Sequence, residues 1–152
     1  MLNWAMDCGI QKMEKNECVY YTLTWSALRK ADRWDIARAV PAMGGVYELY
    51  WMDEHRHLRL YCVGNANIGG LRSEIRRRID PELTTDAELR TILSDRELFY
   101  RYCLIDYAAD MADVLWFFRA TYFPEDPGAS HSGRYHNIYI KEQAPDKVRW
   151  VD

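Results

Sequence analysis

Residues 44–79 read GGVYELYWMDEHRHLRLYCVGNANIGGLRSEIRRRI, and the order of elements in this stretch decides the fold. Residues 46–51 and 58–63 are rich in aromatic and β-branched side chains, the composition of strands, and the charged segment 52–57 between them is a hairpin connection. After Gly64, the Asn- and Gly-rich residues 65–70 predict a tight irregular turn. Leu71, Ile75 and Ile79 then recur every four residues, which puts them on one face of a helix that also carries Arg72, Arg76, Arg77 and Arg78. A hairpin therefore delivers the chain into an arginine-rich helix.

Upstream, residues 19–23 suit a short strand, and residues 24–40 have the composition of an amphipathic helix stopped by Pro41, so residues 1–43 form an accessory, mainly helical region. Downstream, Asp80 precedes Pro81 and leaves the helical region, which ends the arginine helix. Thr85 and Glu88 have capping-box spacing ahead of Leu89, Ile92 and Leu93. Residues 99–105 are apolar on both faces apart from Arg101, as in a central strand. A last helix runs from a cap at Asp106 to Pro124, with Ala109, Asp113, Trp116, Phe117 and Ala120 on one face. A Gly/Pro/Ser-rich loop, 125–137, precedes a short strand at 138–140. The expectation is one α+β domain over residues 1–152, a small antiparallel sheet of about three strands flanked by helices.

Composition narrows the function classes. A chain of 152 residues with 49% apolar and 28% charged residues can bury a core, and its formal net charge of -3 gives no global attraction for nucleic acid or anionic membranes. Any anion site must be a local patch. Cys8, Cys18, Cys62 and Cys103 contain no C-x-x-C pair, which argues for reduced, structural thiols and against a zinc site. Charged residues break the amino-terminal apolar stretch, no apolar run is long enough to span a bilayer, and a cytoplasmic protein is expected.

The chain resembles the GIY-YIG nucleases over residues 44–137. Gly45-Val46-Tyr47 stands where that family has Gly-Ile-Tyr, and Cys62-Val63-Gly64 where it has Tyr-Ile-Gly. Ile75-Arg76-Arg77-Arg78-Ile79 is similar to the family's Leu-x-x-Arg-Leu, and Ala109-x-x-x-Asp113 to its Ala-x-x-x-Glu ahead of two apolar residues. Pro124 and Asn137 are similar to the closing Pro-x-x-Asn, with a long insertion between them. The resemblance implies a metal-dependent DNA endonuclease. Tyr47 and Arg78 would be catalytic, Asp113 would hold one Mg2+ or Mn2+ ion, and duplex or branched DNA would be the partner. Tyr61 would supply the second tyrosine. Arg72, Arg76, Asn65, His55 and Asn137 would contact phosphate.

Two positions depart from the pattern. Cys62 occupies the second tyrosine position, and adjacent strand residues face opposite ways, so Tyr61 replaces it only if a bulge re-aims the side chain. Counting back from Pro124 puts Leu115 or Trp116 at the metal position, which leaves no ligand there. Each residue also has an ordinary role: Tyr47 as strand packing, the arginines as a solvated helix face, and Asp113 as a helical acid at the surface. His131 and His136 lack helical metal-ligand spacing and should face solvent. The alternative function is a catalytically inactive module of the same scaffold that binds nucleic acid or a protein partner. A third reading is an unrelated α+β domain, distinguished by whether 46–51 pairs antiparallel with 58–63 and leads straight into the arginine helix.

Overall fold

The structure, a computed structural model, describes residues 8–67, 69–125 and 130–146. Segment 1–7, where the amino-terminal reading begins, position 68 of the 65–70 turn and positions 126–129 of the 125–137 loop lie outside the described residues. The strands are β1 (Ile10–Lys15), β2 (Cys18–Thr24), β3 (Arg29–Lys30), β4 (Gly45–Met52), β5 (Leu58–Ala66), β6 (Leu98–Leu104) and β7 (Asn137–Gln143). The helices are α1 (Arg33–Ala39), α2 (Gly70–Arg78), α3 (Ala87–Asp95) and α4 (Ala108–Tyr122), with a 3-10 turn at Pro81–Leu83. The fold is α+β with two small sheets.

The larger sheet has the order β3-β6-β4-β5, all antiparallel, and the smaller has the order β1-β2-β7. Strands β4 and β5 pair antiparallel and lead into α2, the arrangement expected of 44–79. Strand β4 is covered on both faces. Leu71 and Ile75 of α2 pack with Tyr47 and Leu49 on one side. On the other side Met111, Val114, Leu115 and Phe118 of α4 share a core with Val46, Val63 and Cys103, and with Val19, Tyr21 and Leu23 of β2. Each such fully buried apolar side chain contributes about 1.5–3 kcal/mol. Helices α2 and α4 therefore lie on opposite faces of the larger sheet.

Glu48 and Arg101 meet inside this second core. Glu48 is fully buried, and its Oε1 accepts from Arg101 Nε at 2.6 Å and from the Tyr50 hydroxyl at 2.6 Å. Arg101 lies over the Trp25 ring at 4.5 Å and 3.6 Å from Glu142 of β7, while Trp25 Nε1 donates to that same Glu142 at 2.8 Å. The polar residue that interrupts the apolar pattern of β6 is thus the junction between the two sheets.

Several expectations are corrected. Among the described residues 8–43 three strands, β1 to β3, hold more of the chain than helix does, and only Arg33–Ala39 of the expected helix over 24–40 forms. The backbone amides of Trp25, Ser26 and Ala31 donate to Gln143, Tyr102 and Leu98, so bonds to the sheets override local helix propensity. Asn65 and Ala66 stay in β5, paired with Val46 and Gly45, and the irregular turn begins later. Asp86, not Thr85, caps α3 by accepting from the amides of Glu88 and Leu89. Helix α4 starts after Tyr107 without a side-chain cap, so Asp106 is not its cap.

Gly45 lets β4, β6 and α2 approach closely: a Cβ there would lie 2.3 Å from the Cys103 carbonyl oxygen and 2.9 Å from Leu71 Cδ1. Backbone cannot yield as a side chain can. Gly45→Ala is expected to cost about 1–3 kcal/mol in urea unfolding; wild-type stability in that variant would refute the close packing described.

Candidate functional site

A β-bulge builds the site. Leu49 pairs with Cys62 and Tyr50 with Leu60, so Tyr61 is an extra residue in β5. Such a bulge turns consecutive side chains toward one side, and Tyr61 and Cys62 both pack against the cluster that holds Tyr47 and Leu71. Tyr61 is thereby re-aimed onto the face of the first tyrosine. A Cβ on Gly64 would sit 2.4 Å from the Tyr47 hydroxyl, so the bare glycine leaves the space that this ring crosses.

Arg78, at the last turn of α2, completes the group. Its cationic charge acts on Tyr47, Tyr61 and Cys62 together, and its Nε lies 3.4 Å from Glu74 one turn earlier. Glu74 also pairs with Arg77. Burial drives the Tyr47 pKa well above that of an ordinary phenol, with Cys62 and Glu74 adding to the rise against the pull of Arg78. Burial raises Tyr61 and Cys62 in the same way. These groups keep their protons at neutral pH. Both tyrosines are therefore suited to donate hydrogen bonds rather than to abstract protons.

Tyr61 supplies the informative detail. Its hydroxyl is buried and has no hydrogen-bond partner among the described residues. Tyr61 lines a cavity of about 240 Å³ together with Cys62, Arg78, Thr84 and Thr85. An unsatisfied buried hydroxyl costs about 1–3 kcal/mol.

Asp113 is placed elsewhere. It projects from α4 on the opposite side of the sheet and is fully buried. Its Oδ1 accepts from the Ser132 amide at 2.8 Å, and its Oδ2 accepts from the Tyr21 hydroxyl at 2.9 Å and from Arg134 Nη2 at 2.8 Å. Arg134 also reaches Asp110 at 2.9 Å and lies over the rings of Tyr107 and Tyr135. With a guanidinium in contact and both oxygens engaged, Asp113 does not fit the role of Mg2+ or Mn2+ ligand. No group of three or more His, Cys, Asp or Glu suited to a metal occurs among the described residues. Leu115, one of the two positions reached by counting back from Pro124, is in the apolar core.

The phosphate-binding candidates divide in the same way. Arg76 is exposed on α2 and does not line the cavity that holds Tyr61. Arg72 Nε donates to the Val40 carbonyl at 2.7 Å and ties α2 to the end of α1. Asn65 is paired within β5, and Asn137 opens β7 in the other sheet, with its Nδ2 at 3.8 Å from Cys18 Sγ. His55 sits at the tip of the β4–β5 hairpin, about 16 Å along β4 from Tyr47 at the usual strand rise. Neither His55 nor Asn137 joins the tyrosine–arginine group. His131 and His136 are exposed, as expected. Glu74 was missed because an acid inside an arginine run reads as surface charge balance. Tyr21 and Arg134 were missed because they meet Asp113 from distant parts of the chain.

The Asp113 cluster has a pH signature. Burial opposes ionisation of Asp113, yet the bonds from Ser132, Arg134 and Tyr21 outweigh it and hold the pKa below the usual carboxylate value. Stability from a depressed carboxylate is present above the unfolded pKa and is lost as pH falls through the folded one. The protein should lose stability on acidification below about pH 4. Arg134→Ala should lose about 2–3 kcal/mol at pH 7 and much less of its remaining stability in acid. Urea melts of both proteins at neutral and acid pH check this, and parallel profiles would contradict it.

Among the described residues no helix is long and apolar enough to cross a membrane. No curated protein and no solved structure matches the chain. A protein-family model described as "Uncharacterised protein" matches residues 9–152, and the chain belongs to that family.

Proposed function

We propose that this chain is a GIY-YIG-like module that binds the phosphate backbone of DNA at the Tyr61–Arg78 face and does not cleave it. The observation that carries this reading is the buried, unpartnered Tyr61 hydroxyl beside the Arg78 guanidinium at the edge of a cavity. A protonated phenol donates to a phosphate oxygen, and a guanidinium offers its charge and a bidentate fork. The site asks for an anion with several acceptor oxygens. Against cleavage stands Asp113, whose carboxylate is committed to Arg134 on the other side of the sheet. A cytoplasmic location belongs to the same reading, supported by four free cysteines.

A second reading, metal-dependent DNA endonuclease, is favoured by the charge of Arg78 acting on the Tyr47 hydroxyl. The two separate cleanly in vitro. Fluorescence anisotropy with labelled DNA should show binding that weakens with salt. Arg78→Ala should lower the affinity about tenfold and the salt slope by about one, and Tyr61→Phe should lower the affinity less. Plasmid DNA should stay intact with Mg2+ or Mn2+. Nicking that disappears in Arg78→Ala and Tyr47→Phe would establish the endonuclease instead, and an absence of any DNA binding would defeat the first reading.

A further inference from the structure

A second, larger cleft of about 660 Å³ opens on the far side of Arg77. Its volume falls in the range of small-molecule sites. The apolar part of the lining is Ala31, Ile79, Pro81, Leu83, Leu93 and Leu98, from β3's trailing edge, the end of α2, the 3-10 turn, α3 and β6. Arg33 and Arg76 also line it, and neither has an ion-pair partner among the described residues. Arg33 is placed over the Trp34 ring, itself 71% exposed. The cleft thus joins an apolar floor to arginines and to the carboxylates of Asp80, Asp95 and Glu97, which suits a flat ring body whose edge amino groups donate to a carboxylate and whose attached anion meets Arg33 or Arg76. It does not suit a hydrated inorganic ion.

The two cavities are neighbours. Arg77, Asp80 and Leu83 line both, and Arg76, Arg77 and Arg78 follow one another along α2 between them. A phosphodiester strand crossing α2 at Arg77, which lines both cavities, would present one phosphate to Tyr61 and Arg78 and the base of an adjoining nucleotide to the larger cleft. A base paired and stacked in a duplex cannot enter such a cleft, whereas an unpaired base can.

We infer that the larger cleft is a base-binding subsite and that the ligand is single-stranded or locally unpaired DNA rather than continuous duplex. This rests on the proposed DNA-binding function and names its ligand class. Exclusion of duplex follows from the geometry of entry, and specificity for strand state from the apolar lining.

Ser73 lines the larger cleft, is exposed on α2 and does not line the smaller cavity. Ser73→Trp would fill the cleft without touching the tyrosine–arginine group. Anisotropy is measured with a labelled oligothymidylate, the same length of perfect duplex, and a duplex carrying a single-stranded flap. The oligothymidylate and the flap should bind about tenfold more tightly than the duplex. Ser73→Trp should remove most of that preference while leaving duplex affinity and the thermal midpoint unchanged. Equal binding of duplex and single strand, or a Ser73→Trp variant with full preference, would overturn the subsite even if Arg78 proves essential for DNA binding. Loss of binding in Ser73→Trp with none in Arg78→Ala would retain the subsite and reject the Tyr61–Arg78 reading. No binding to any of the three would reject both.

Discussion

The buried pair of Glu48 and Arg101 is the constraint on which the rest of the structure depends. A carboxylate without solvent access is tolerated only if a cation and further hydrogen bonds surround it. Here those partners come from different elements: Arg101 from β6, Tyr50 from β4, and Glu142 beyond Arg101 from β7. Sliding β4 against β6 by one residue would turn Glu48 to the other face and strand both charges. The register of the larger sheet and the seating of the smaller sheet against it are thereby set together. Fixing the register of β4 also fixes Tyr47, one residue before Glu48 and on the opposite face.

That alternation divides the molecule into two chemical halves. One face of the larger sheet carries protonated tyrosines and a row of arginines from α2, and it is open to cavities. The other is closed by α4 and the smaller sheet, and its carboxylates are held by Arg134 and Arg101. On the proposed reading an anion is accommodated on the first face, while the second has its charges already neutralised. The bulge at Tyr61 is the local exception to the two-residue strand period, and it adds a second hydroxyl to the face that Tyr47 already occupies. Cys62 packs beside both tyrosines as a protonated thiol.

The legible parts of the sequence were those with local signals. The 44–79 succession of strand, hairpin, strand and helix follows from composition and a four-residue apolar repeat, and the central strand over 99–105 follows from apolar residues on both faces. Strand β1 was illegible for the converse reason: all but its first residue are exposed, so IQKMEK carries no apolar alternation. Its partner turn at Asn16 and Glu17 uses two residues with positive φ, of 52° and 64°, without the glycine that usually advertises such a turn. On the site side, Tyr47, Tyr61 and Arg78 converge because short-range pairing places them. Asp113 could not be assigned from its helix alone, since its partners Tyr21, Ser132 and Arg134 are brought to it by the second sheet.

Strand β7 pairs in parallel with β2 across 119 residues of chain. Closing so long a loop carries an entropic cost before any contact is gained, and parallel pairings of this kind form late. The β4–β5 hairpin and the helix that follows it need no such closure. Loop-closure entropy therefore favours assembly from the site-bearing sheet outward, with β7 as a late latch. Until it does, Val19, Tyr21 and Leu23 lack the cover of Ile138, and Trp25 lacks its bonds to Glu142 and Gln143. With β7 undocked, that apolar surface and the open edge of β2 are the kind of surface that promotes aggregation.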